Sequence, residues 1–185
     1  MPQEASNLRM EIHAYIRDHP AAHILEIAQA FDLTHPTVMY HLDLLADEGY
    51  IVSSIWGKRR AHFDSAAHYT SWEREVLALL AVDEARSIVE FIAQRPGTYP
   101  REIAQELGVS DTTVKRYVPE LLRLGMVSEV DGGFRRRLAL SRSLAKRGAA
   151  LLEKTPPKST GARRLHALVP RAPAAEGRAS KDIYS

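Results

Sequence analysis

The chain repeats itself. Shifted by 76 residues, Glu26–Gln29 ("EIAQ") falls on Glu102–Gln105, which carries the same four letters. The register holds without a gap over the flanking residues. Ile12 falls on Ile88, Tyr15 on Phe91, Ile16 on Ile92 and Pro20 on Pro96. Thr37-Val38 falls on Thr113-Val114, Leu45 on Leu121, Gly49 on Gly125, and Gly57, Arg59 and Arg60 on Gly133, Arg135 and Arg136. A sustained internal period marks copies of one supersecondary unit. The 185 residues are therefore read as two small related domains rather than one large one.

Each copy parses alike. Ile12, Tyr15 and Ile16 lie at i, i+3, i+4 and give a first helix one apolar stripe. Pro20 closes that helix. A short second helix over Ile24–Phe31 leads into a tight turn, "DLT" in the first copy and "GVS" in the second. Thr34 and Ser110 are good N-caps for a third helix, because their hydroxyls can accept from its free N–H groups. Val38, Leu42 and Leu45 line its buried face, as Val114, Val118 and Leu121 do in the second copy. Gly49 and Gly125 end it. A strand, a glycine- and arginine-rich tip and a returning strand follow. Pro119 falls inside the third helix of the second copy, where it removes a backbone N–H and predicts a kink.

Three helices and a basic hairpin, with the second and third helices joined by a short turn, make a helix-turn-helix with a wing. The phrase "PTVMYHLDLLADEGYI" followed by "GKRRAHF" resembles the ArsR and MarR type of winged helix-turn-helix transcription regulators of archaea and bacteria. The expected architecture is mainly α with small β-hairpin wings. Residues 1–64 form the first winged domain and 84–141 the second. Residues 65–83 form a linker helix, in which Trp72, Val76, Leu79 and Leu80 share a face. That helix either packs the copies together or serves as a homodimer face over residues 66–82, as the resemblance implies. Residues 142–154 read as a C-terminal helix, and 155–185 as a basic, disordered tail with a short "RRLHALV" island.

The resemblance implies double-stranded DNA as partner, with the third helix in the major groove and the wing on the backbone or minor groove. In the second copy the groove-facing residues are Thr112, Thr113, Lys115, Arg116 and Tyr117, with Arg135, Arg136 and Arg137 on the wing. In the first they are His35, Thr37, Tyr40 and His41, with Lys58, Arg59 and Arg60 on the wing. The first copy's third helix carries no permanent cation, and His41 is expected to gain a proton beside a polyanion. Charge is distributed to match. Residues 1–64 hold five Lys+Arg against nine Asp+Glu, whereas 85–153 hold twelve against eight and 154–185 seven against two. The second copy is thus expected to anchor and the first to tune or recruit. Two readers on one chain would span two neighbouring groove segments.

Much else is excluded. The absence of cysteine rules out disulfides, zinc-thiolate sites and a cysteine nucleophile, and suits a reducing cytoplasm. No apolar run nears the ~20 residues that cross a bilayer. The N-terminus lacks the pattern of a secretory signal. Six of the eight histidines fall in the first copy, but His19 and His23 straddle Pro20 and share no clean helical face. No metal site, cofactor or small-molecule substrate is therefore expected. No P-loop, glycine-rich dinucleotide loop or catalytic triad is present, so no catalytic residue is assigned. The function expected is DNA-binding transcription regulation in the cytoplasm, associated with the nucleoid. The other readings are an architectural DNA-coating protein and a winged-helix scaffold for proteins.

Overall fold

A computed structural model describes residues 2–57, 59–130, 136–154 and 160–169. The first copy runs α1 (Pro2–Asp18), β1 (Ala22–His23), α2 (Ile24–Phe31), α3 (His35–Asp47), β2 (Ile51–Trp56) and β3 (Arg59–Asp64). A connecting helix, α4 (Ser71–Leu80), leads to the second copy. That copy runs α5 (Asp83–Gln94), α6 (Pro100–Leu107), α7 (Asp111–Arg123), β4 (Val127–Val130) and β5 (Arg137–Leu140). Two helices close the chain, α8 (Arg142–Lys154) and α9 (Thr160–Leu168). Both winged helix-turn-helix units are present, and the fold is mainly α.

The repeat persists in individual hydrogen bonds. Ala21 N–H donates to the His62 carbonyl at 3.1 Å, and Gly97 N–H donates to the Leu138 carbonyl at 2.8 Å. Tyr50 N–H donates to Leu45 O, and Met126 N–H to Leu121 O, both at 2.9 Å. The turn between the second and third helices needs one left-handed residue, supplied by Asp32 (φ 52°) and Gly108 (φ 64°). The sheets correspond too. In the first copy the antiparallel order is β1-β3-β2, with Ala22 opposite His62. In the second, the equivalent of β1 is the single bridge Thr98↔Leu138, beside the β4–β5 hairpin.

Packing separates the copies less than the repeat suggests. Ile12, Ile16, Ile27, Val38, Leu42, Leu45 and Ile51 form a small core inside the first copy. A second, larger core gathers α4 and the helices of the second copy, and it also takes in Ala61 and Phe63 of β3. Pleating explains this. Phe63 and Ala61 share one face of the sheet with Val52, Ser54 and Trp56, while His62 and Asp64 point to the other. On that other face His13 Nε2 of α1 meets Asp64 Oδ1 at 3.1 Å. The first wing's sheet thus faces its own helices on one side and α4 on the other.

Three expectations need correction. The linker is not one helix over 65–83. A 3₁₀ turn at Ser65–Ala67 comes first, and Thr70 then starts α4 with a capping box. Its hydroxyl accepts from Glu73 N–H at 3.2 Å, and Glu73 Oε2 accepts from Thr70 N–H at 2.7 Å. Nor is α4 available as a homodimer face. Val76, Leu77, Ala78, Leu79 and Leu80 are all buried within this one chain, on every side of the helix.

The tail is not wholly irregular. Leu165 and Leu168 sit at i and i+3, and both are buried in the larger core. The average composition of the tail concealed this pair. Gly148 lets α8 and α9 cross closely, since a Cβ there would lie 2.6 Å from Val169 Cγ2. Residues 155–159 and 170–185 of the expected tail lie outside the described residues. Pro119 lies inside α7, which continues to Arg123, as the spacing implied.

Candidate nucleic-acid interface

The third helix of the second copy is set by its cap. Ser110 Oγ accepts from Thr113 N–H at 3.1 Å, which fixes the first turn of α7. Val114, Val118 and Leu121 then point inward, as their spacing requires. Thr112, Lys115 and Arg116 are exposed, and Thr113 is partly so. Among the described residues neither Lys115 nor Arg116 pairs with a carboxylate. Tyr117 is a correction: it is buried, because its position falls on the core side of the helix. Its ring instead carries the Arg116 guanidinium, 5.4 Å from the centroid.

The second wing lies beside the start of α6. Arg137 Nε donates to Tyr99 Oη at 2.8 Å, and its guanidinium sits 5.2 Å from that ring's centroid. Arg136 is highly exposed and pairs with Glu129 at 3.0 Å. A cleft between wing and helix is lined by Tyr99, Arg101, Gln105 and Arg136. Sequence reasoning missed Arg101 and Tyr99. The 76-residue offset carried the signal, since a matching cleft in the first copy is lined by His23, Leu25 and Arg60. Arg135 lies outside the described residues.

The first copy presents a different chemistry. Thr34 Oγ1 accepts from Thr37 N–H at 3.4 Å, and Pro36 occupies the first turn of α3. His35 is exposed, Thr37 partly exposed, and Tyr40 well exposed. His41 is the second correction: it is buried, not presented. Burial, and then the nearby Arg9 cation, push its pKa below the usual value. Met39 and Tyr40 stand where Lys115 and Arg116 stand in the second copy. Arg59 and Arg60 are exposed at the wing, and Lys58 lies outside the described residues. Behind the wing, His62 is buried and its Nδ1 lies 3.0 Å from Ser53 Oγ. Burial, with Arg60 and His23 nearby, pushes its pKa down to about 4.

The two halves meet at the face of α7. Trp56 of the first wing stacks on Tyr117, with centroids 6.0 Å apart. Trp72 Nε1 of α4 donates to the Leu124 carbonyl at 2.8 Å. Arg123 is held by Glu75 at 2.6 Å and by Glu120 at 2.9 Å. Neither tryptophan contact was legible from spacing, because each joins residues far apart in the chain.

Comparison with known proteins agrees with this layout. Residues 6–77 match a family described as an N-terminal HTH domain, of the HVO_0163 type. Residues 85–128 match a family described as winged helix-turn-helix DNA-binding. Over 141 residues the chain is 26% identical to a protein of Methanocaldococcus jannaschii named as an uncharacterized HTH-type transcriptional regulator. That match covers 76% of this chain but only 35% of the relative, so the chain spans about a third of that protein's length. Among solved structures, ScpB from Mycobacterium tuberculosis aligns over 77% of this chain and 95% of its own, at 19% identity and a TM-score of 0.31. The mRNA-binding domain of elongation factor SelB from E. coli, solved with SECIS RNA, aligns over 76% of this chain and 99% of its own, at 16% identity and a TM-score of 0.29. Scores that low carry no argument about this chain. The repeated register, the two wings and the two family matches together make this chain a tandem winged helix-turn-helix protein.

Proposed function

We propose that the chain is a transcription regulator that binds double-stranded DNA and acts without catalysis. One observation carries this reading. Among the described residues Lys115 and Arg116 stand exposed and without a carboxylate partner on the helix that follows the turn. Free cations on an exposed helix face suit phosphates and guanine edges. Arg136 and Arg137 add cations on the adjacent wing. The basic balance of the second half favours a polyanion, and the first copy contributes through its wing more than through α3.

The test is titration of fluorescent duplex with the full chain, read by anisotropy, with random and genome-selected sequences in competition. A regulator keeps a specificity ratio of roughly 10³ or more over random duplex. Lys115→Ala with Arg116→Ala lowers affinity and reduces the log K against log salt slope by about 2. Tight binding with no sequence preference would point to an architectural coat. No binding even at low salt would overturn the reading.

A further inference from the structure

The first copy's wing ends against the second copy's third helix. Trp56 and Tyr117 stack with planes inclined by 17°, and Arg116 lies over the same Tyr117 ring. A Cβ at Gly57, the residue at the wing's turn, would lie 4.0 Å from Arg116 Nη2. Arg59 is directly opposite Trp56 in the antiparallel pair. Opposed residues project from the same face, so Arg59 leaves the wing on the side that α7 occupies. Arg60 is opposite Ile55 and leaves on the other side, and both arginines border the cleft with His35 and Met39.

Charge distinguishes the two sides of the wing. Within its own copy Arg59 has no cationic helix beside it, since α3 shows Met39 and Tyr40 there and carries Asp43 and Asp47 further on. On the α7 side it is the wing's turn, through Gly57, that comes against Arg116. Glu75 and Glu120 engage Arg123, and leave Arg116 unengaged. The arrangement is also fixed. Phe63 and Ala61 of the wing share one core with α7, and Trp72 hydrogen-bonds to the residue that follows that helix.

We propose that the first wing serves the second copy's helix. Arg59 and Arg116 grip one run of phosphates on a single duplex. The chain therefore covers one uninterrupted DNA tract, instead of two segments whose spacing a linker could vary. This inference rests on the DNA-binding reading above.

The cysteine-free sequence makes the test direct. Arg59→Cys and Lys115→Cys, made singly in the full chain, each carry a tethered iron–EDTA group that cuts nearby DNA. The expected cuts from the two positions fall within about half a helical turn, roughly 5 base pairs, of each other. Cuts a full turn or more apart, with the duplex still bound, overturn the inference and leave the DNA-binding reading intact. An unmodified chain that ignores duplex at low salt overturns both. A second measurement needs no label. In the Trp56→Ala background, which removes the stack that seats the wing tip on α7, Arg59→Ala is expected to cost less affinity than it does alone, where it costs about 5-fold. Equal losses in both backgrounds count against the inference.

Discussion

Trp56, at the end of β2, lies flat on Tyr117, in the middle of α7, with ring centroids 6.0 Å apart and planes 17° from parallel. The two residues belong to different copies of the repeat. Stacked rings of this size supply roughly 0.5–1.5 kcal/mol beyond the area they bury. Their contact continues the core that Phe63 of the first copy shares with Val76 and Leu80 of α4. Cooperative unfolding follows. The full chain is expected to lose both copies in one denaturant transition, and Trp56→Ala to lower its stability by about 2 kcal/mol. Two resolved transitions in circular dichroism would show that the shared core does not couple the copies.

His62 ties stability to pH. Its folded pKa of about 4 lies below the usual 6.5, so the unfolded chain holds more protons between those values. Stability from this residue is complete above pH 6.5 and is lost as pH falls toward 4. The total is up to about 3 kcal/mol, from 1.36 kcal/mol per pKa unit. His62→Gln is expected to flatten stability against pH across that window, as urea melts at successive pH values will read.

Gly148 decides whether α9 can dock. A side chain there would meet Val169 at 2.6 Å and Leu165 at 3.2 Å. Gly148→Val is expected to destabilise by about 1–3 kcal/mol and to speed trypsin cleavage after Arg163 and Arg164. Val169→Ala, by shrinking the neighbour, is expected to restore part of the loss. If the double variant is no better than the single, the crossing is not where the strain lies.

Tyr99 positions Arg137. Tyr99→Phe keeps the ring beneath the guanidinium but removes the hydroxyl that accepts from Nε at 2.8 Å. Duplex affinity is expected to fall about 2- to 5-fold, with thermal stability unchanged, because the bond is exposed and worth only ~1 kcal/mol. Unchanged affinity would mean that Arg137 does not need that orientation.

Local structure was legible because it depends on near neighbours. Thr34 and Ser110 cap the helices their spacing implies, and Asp32 and Gly108 turn where the repeat demands it. The same periodicity placed Val114 inward and Lys115 outward. It failed at Tyr117 and His41, equivalent positions on the margin of the helical stripe, where polar rings can face either way. It failed again in the tail, where an average over 31 residues hid Leu165 and Leu168.

By itself, then, the sequence determined that there are two units, what each looks like, and which residues cap, turn and line them. Those features follow from propensity and from contacts within a few residues. How the units meet was decided only in three dimensions. Trp56 on Tyr117, Trp72 to Leu124 and Arg123 to Glu75 join residues about 50 or 60 positions apart. No local period encodes such pairs, because they form only after each unit has folded and presents its remaining apolar surface to the other.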